Sequence, residues 1–431
     1  MSSGAAQGWT APGWEGVREA FEHNFGLGLE IGAAFSAYHR GEKVVDLWGG
    51  LADAYEQRPW EEDTMVLTYS TTKGATAALV HALADAGDLD TDAPVSRYWP
   101  EFAQGGKGDI PVSYLLSHQA GLAWTDGEMT SDEALAWDPV IRALEVQAPH
   151  WEPGTRHGYH ATTYGWLVGE VVRRIRGTGF GTAFRQVVGD PLALDFFIGM
   201  PEEEDHRVAL LHAQMPPEGG LAAPDPGALE ASPAAGDGAD AGSQELADPQ
   251  QAGQSLRELL VQLFGPDAPL PKALWAPGDA LADHELWNSR RLRAAELPAA
   301  NGIGDARSIA RMYGACIGEV STPAGEKVRL FSEEQLDAAI RQQTTGGDLV
   351  ILDVDLQFGL GFMLNKGITE SMGVGGPRSF GHFGLGGSVG WADPDAQLAY
   401  GYVTNKMELG LTGDTRSYRL AKACHGVVDK L

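Results

Sequence analysis

The chain holds nine lysines, and only Lys73 has a serine three residues before it, in YSTTKGATAALVHALADAGDL (69–89). In a helical stretch, Ser70 and Lys73 would lie on one face, a turn apart. A serine hydroxyl is a weak nucleophile until a neighbour takes its proton. A buried lysine, its ammonium disfavoured by loss of solvent, can do that, or can hold a phenolate that does. Backbone N–H groups in the first helical turn also favour developing negative charge. The chemistry this pair suggests is acyl transfer through a serine ester. S-x-x-K fixes only two positions in four, so it also admits a plain structural role, with Ser70 capping the helix and Lys73 a solvated charge.

A rival serine, Ser388, stands in GGSVG (386–390), which reads G-x-S-x-G, the pattern of a nucleophile elbow. That device needs a strand, a sharp turn and a helix, then an acid and a histidine further on. Here VGWADPDAQ follows, with Pro394 where the helix should run, and little chain remains for the partners. Ser388 is therefore read as shaping a glycine-rich strand edge. His157 and His160, three apart in RHGYH, lack a matching His, Asp or Glu cluster, so no metal is expected. His118 lies in a mostly apolar stretch and reads as a hydrogen-bonded structural histidine. Trp124 and Trp391 can line an acyl pocket or fill the core, and Asn301, in AANG, reads as a turn residue.

These groups need elements to position them. After Lys73, Ala75, Ala78, Leu79, Ala82, Leu83 and Ala86 recur at helical spacing, and Gly87 is a natural helix stop. A helix is predicted around Trp14–Phe25, followed by the apolar runs IGAAFSAYH and KVVDLWGG, joined at Arg40-Gly41-Glu42 as in a hairpin. Near the other end, SVGWAD and QLAYGYVTN flank Pro394-Asp395-Ala396. Leu420, Ala423, Cys424 and Val427 then give the last segment, Arg416–Leu431, a helical face. Between the ends lie mainly helical patterns, such as TTYGWLVGEVVRRIRG and ARSIARMYGACIG. The expected fold class is α+β: an antiparallel sheet built from both chain ends and flanked by helices, with a mainly helical middle region. Residues 1–70 and 300–431 would form the sheet domain and 71–299 the helical one. Residues 216–253 carry seven acids, no base and no aromatic, which predicts a flexible surface insertion.

Composition narrows the function classes. The 431 residues carry 59 acids against 31 Lys and Arg, a net charge of −28, which disfavours nucleic acid and anionic membrane as partners. Cys316 and Cys424 share no metal-ligand spacing and offer no disulfide framework. The first residues show neither a basic stretch nor an apolar one of the secretory kind, and no run approaches ~20 apolar residues. A cytoplasmic protein is expected.

Two further stretches join the Ser70–Lys73 pair. WEPGTRHGYHATTYGWLVGEVVRRI (151–175) places Tyr159 after a Pro153-Gly154 turn, and FGHFGLGGS (380–388) is a strand edge whose glycines let backbone approach a ligand. An S-x-x-K helix start, a tyrosine after a P-G turn and a late H-x-G strand, in that order, resemble the serine β-lactamase and penicillin-binding-protein superfamily. They are most similar to its class C-related esterases, the family VIII carboxylesterases. LLSHQAGL (115–122), ELPAANGIGDARSIARMYG (296–314) and FGLGFML (358–364) resemble that family's connecting segments.

The resemblance implies a β-lactamase-like fold with Ser70 as nucleophile, Lys73 as its partner and Tyr159 as the second proton-transfer group. It puts the oxyanion between the backbone N–H groups of Ser70 and Leu385, and gives substrate-binding positions to His382, Gly384 and Trp124. No cofactor is implied. Two departures matter. Ala161 stands where the family's Y-x-N element has asparagine, and His382 stands where K-T-G has lysine. Both changes remove groups that would hold an acylamino, carboxylate-bearing substrate, while leaving the acyl-transfer groups in place. The expected activity is hydrolysis of small or short-acyl carboxylic esters, with a small-molecule ester as partner. Alternatives are an amide-directed relative (D-aminopeptidase, D,D-peptidase, β-lactamase or amide-oligomer hydrolase), an acyltransferase, or a catalytically silent binding protein on the same fold.

Overall fold

The computed structural model describes residues 6–212, 256–408, 410 and 412–431. The insertion expected at 216–253 lies outside the described residues. The N-terminal part supplies strands β1 (Gln7–Thr10), β2 (Gly32–His39), β3 (Glu42–Asp53) and β4 (Arg58–Pro59). The C-terminal part supplies β5 (Leu356–Phe358), β6 (Met363–Gly367), β7 (Phe380–Phe383), β8 (Val389–Asp393) and β9 (Leu398–Thr404). They form one antiparallel sheet in the order β1-β3-β2-β9-β8-β7-β6-β5, with β4 against β3. The two chain ends meet at β2 and β9, in a ladder from Ala33↔Thr404 to His39↔Leu398.

The β2–β3 hairpin is tighter than its sequence suggests. His39 pairs with Glu42, so the loop is Arg40-Gly41 alone. Both loop residues take positive φ (52° and 78°), the conformation a two-residue hairpin turn of matching twist requires.

Every residue of β2 and of β9 is buried, because both faces of the sheet are covered. On one face, helices α1 (Glu15–Gly26) and, at the C-terminus, α5 (Thr415–Val428) bring Val17, Phe21, Leu420 and Cys424 against Phe35, Leu47, Tyr400 and Tyr402. On the other lies α4 (Ala306–Ile317), which sits close because Gly390 and Gly401 pair across β8 and β9. A Cβ on Gly390 would fall 2.2 Å from the Tyr313 ring, and one on Gly401 2.4 Å from the Ala306 carbonyl oxygen. Tyr313 also touches the next layer: a Cβ on Gly74 would meet its hydroxyl at 1.9 Å. That next layer is α2 (Thr72–Asp85), which packs in turn on α3 (Thr163–Arg176).

Helix α2 follows its predicted periodicity. All of its first ten residues, Thr72–His81, are buried, and Gly87 ends it at φ +81°. A small three-stranded ribbon, with Ile303–Gly304 between Val66–Leu67 and Phe196–Phe197, anchors the chain just before Ser70. No helix among the described residues is long and apolar enough to cross a membrane.

Candidate active site

Ser70 lies in a single tight turn, Tyr69–Thr71, that leads from the small ribbon into α2. Tyr69 holds a positive φ of 44°, a costly conformation for a bulky residue that persists only where its surroundings impose it. Ser70, the next residue, is half-buried. No side chain caps α2, so the capping role open to Ser70 is not the one it plays.

Lys73 is fully buried, contrary to a solvated-charge reading. Its Nζ donates to Ala161 O (2.6 Å), Ala299 O (3.0 Å) and Ser70 Oγ (3.2 Å). Burial holds its ammonium well below the usual lysine range. The geometry serves both protonation states. As ammonium, Lys73 uses three donors on three oxygens; as neutral amine it keeps both carbonyl bonds and turns its lone pair on the Ser70 hydroxyl. Asn301 is indeed a turn residue near the site: it accepts from Leu297 N–H and donates to Leu292 O and Ala295 O, shaping the loop that presents the Ala299 carbonyl.

Tyr159 is buried in the extended segment before α3, with its hydroxyl beside the Ser70 side chain. Burial pushes the phenol up from its ordinary range, the Ser70 side chain pulls it down, and the nearby Asp348 carboxylate pushes it up again. Lys73 Nζ sits 4.7 Å from the Tyr159 ring centre. The ring is stacked on Phe358 at 6.1 Å and flanked by His118 at 5.0 Å. Ser70, Lys73 and Tyr159 thus converge.

Burial lowers His118, His160 and His382 below the usual histidine range, and backbone groups hold the histidines around the site in place. His382, fully buried on β7, donates from Nδ1 to its neighbour's carbonyl, Phe383 O (2.7 Å). Burial and the nearby Lys73 push it down to about 3. His160 donates from Nδ1 to Gly158 O and accepts the Leu122 N–H at Nε2, while His118 Nδ1 accepts the His160 N–H. His157 lies against Leu356 O. His382 Nε2 is buried without a hydrogen-bond partner, and the described residues contain no group of three His, Cys, Asp or Glu fit for a metal.

Leu385 stands at the tip of a loop closed by Gly384 N–H to Ser388 O (2.8 Å) and Gly387 N–H to Gly384 O (3.1 Å). Gly384 is there for close approach: a Cβ would fall 2.2 Å from both Thr68 O and Ser388 Oγ. Trp124 packs against the apolar cluster that includes Tyr159 and Ala161. It stacks on His150 (4.1 Å between ring centres) and lines a cavity of about 570 Å³ whose walls include none of Ser70, Lys73 and Tyr159. Trp391 is core, fully buried 5.0 Å from the Phe383 ring.

Asp348 escaped the sequence reading. Its Oδ1 accepts from the N–H groups of Tyr159, Val350 and Ile351 at 2.8–3.0 Å, fixing the Tyr159 backbone from behind. Burial raises its carboxyl while these donors and His157 lower it. An acid followed by N–H groups two and three residues on is a local signature, but the tie to Tyr159 has none.

The Beta-lactamase family model matches residues 21–425 of this chain. The esterase/beta-lactamase LipL of Mycobacterium tuberculosis is 32% identical over 383 residues, which span 87% of this chain and 77% of that protein. A crystal structure of a family VIII carboxylesterase is similar with a TM-score of 0.79 and 36% identity, covering 98% of this chain and 99% of that one. A penicillin-binding protein homolog from Caulobacter crescentus gives a TM-score of 0.78 and 35% identity, with coverage of 98% and 99%.

Proposed function

Because the chain belongs to the Beta-lactamase family and is a serine hydrolase, we propose that it cleaves carboxylic esters, small or short-acyl ones, through an acyl-enzyme on Ser70. The observation that carries this reading is the set of three oxygens around Lys73 Nζ. Neutral Lys73 takes the Ser70 proton as Oγ attacks the ester carbonyl, and the resulting ammonium keeps all three contacts. Tyr159, beside Ser70, gives its own hydroxyl proton to the departing alkoxide, and the Lys73 ammonium then returns a proton to the phenolate and becomes neutral again. Water then attacks the acyl-enzyme along the reverse proton path. General acid–base help of this kind is worth roughly 10²–10⁴ in rate. The Ser70 and Leu385 N–H groups take the oxyanion, each donor worth on the order of 10²–10³.

The neutral state of His382 favours esters over β-lactams. A lysine there would offer a fixed cation to a substrate carboxylate; a buried imidazole, bonded to Phe383 O, offers none. Ala161 likewise has no side-chain amide to hold an acylamino group. An alkoxide also leaves more readily than an amide nitrogen.

The test is a panel of p-nitrophenyl esters of increasing acyl length, beside nitrocefin and D-amino-acid p-nitroanilides. The proposal expects kcat/KM highest on the short esters. Turnover of the lactam or the amides with inert esters would overturn it.

A further inference from the structure

The G-x-S-x-G segment has no nucleophile to supply, yet its serine is buried, satisfied and placed between the two halves of the site. Ser388 Oγ donates to Thr68 O (2.7 Å) and lies 3.0 Å from Thr71 Oγ1. A hydroxyl has one proton, so with Thr68 O as acceptor the Thr71 hydroxyl must donate to Ser388. The other acceptor near Thr71, His382 O, is further away at 3.5 Å.

We propose that Ser388 is a positioning residue for the oxyanion hole, its hydroxyl tying the loop that carries Leu385 to the turn that carries Ser70. This rests on the Ser70 reading above. The two proposed donors belong to separate segments, and neither segment alone sets the gap between them. Thr68 and Thr71 bracket Ser70, with the strained Tyr69 between. On the opposite side, Gly384 N–H bonds Ser388 O and so fixes the base of the Leu385 loop. The absence of a Cβ on Gly384 leaves the channel through which the Ser388–Thr68 bond passes.

The far side of the loop is fixed as well. Arg416, buried and paired with Asp414 (2.6 Å), donates from Nη2 to Gly386 O (2.8 Å). Gly387, at φ +117°, wraps so closely on this guanidinium that a Cβ would fall 2.4 Å from Nη2. The glycines of GGSVG therefore fit the loop over an arginine, and its serine ties the loop to the nucleophile turn.

Ser388→Ala and Thr71→Val test this, with kcat and KM measured on p-nitrophenyl butyrate and affinity measured for an alkyl boronic acid, whose tetrahedral adduct needs the oxyanion hole. Ser388→Ala should lower kcat about tenfold, a fraction of the loss of a whole donor, with KM within ~2-fold. Boronate affinity should fall by the same factor as kcat. Thr71→Val, which keeps the Ser388–Thr68 bond, should give a smaller loss in the same two quantities. A folded Ser388→Ala with kcat and boronate affinity close to wild type would overturn the role. If Ser388→Ala does not fold, unchanged values in Thr71→Val would overturn it instead. Fluorophosphonate labelling of the wild type at Ser70 would confine either failure to this role; labelling elsewhere would overturn the Ser70 reading and this role together.

Discussion

Gly384→Ala is the smallest change that should disable the site. The φ of Gly384 is open to any residue, so an alanine there meets no backbone strain, only neighbours. Its Cβ would lie 2.2 Å from Thr68 O, 2.2 Å from Ser388 Oγ and 3.0 Å from Thr71 Oγ1. The two shortest contacts must each open by roughly 1 Å to reach ordinary van der Waals distance. Ser388 can rotate away, which breaks its bond to Thr68. Thr68 O is backbone and moves only by carrying Tyr69 and Ser70 with it. A displacement of that size at reacting groups costs about 10² in rate, and forced overpacking costs about 1–3 kcal/mol of stability. The expected variant is folded, less stable by that amount, and slower by about two orders of magnitude in kcat with KM little changed. Burst kinetics on p-nitrophenyl butyrate and urea unfolding measure both. A kcat above a tenth of wild type with unchanged stability would refute the steric reasoning.

Tyr159→Phe removes only the hydroxyl, and the ring stays held by Phe358 and His118. Single-turnover acylation or deacylation should fall roughly 10²–10⁴-fold, while unfolding free energy changes by no more than about 1–2 kcal/mol. Lys73→Met should cause a comparable loss of turnover, and it also has a pH signature. Burial lowers the folded-state pKa of Lys73, so the unfolded chain binds more protons between that value and the ordinary lysine value. The penalty is full below the folded pKa and fades as pH rises towards about 10.4. Wild-type stability relative to Lys73→Met should therefore rise with pH across that window, as read by urea unfolding at several pH values. A flat difference would mean that Lys73 is not held away from its ordinary pKa.

Much of the frame could be read from local pattern. The β2–β3 and β8–β9 hairpins announce themselves by apolar runs around turn residues, and α2 by its alanine and leucine spacing. Ser70 and Lys73 were legible for the same reason, since three residues on one helical turn fix their separation. Tyr159, Leu385 and His382 reach the site from distant segments, and only a family resemblance could gather them. The carbonyls of Ala161 and Ala299 were invisible because a backbone acceptor carries no residue signature. Asp348 was missed because its acceptor role for Tyr159 depends on two loops meeting in space. Ser388 shows the converse: a familiar local motif pointed to a nucleophile, while the partner that explains it, Thr68, lies 320 positions away.

The central claim, an acyl-enzyme on Ser70, is tested most directly by trapping. Wild-type protein quenched during turnover of a slow ester, digested and mapped by mass spectrometry, should carry one acyl group on the peptide containing Ser70, and Ser70→Ala should carry none. An acyl group on the peptide containing Ser388, or turnover retained by Ser70→Ala, would contradict the account.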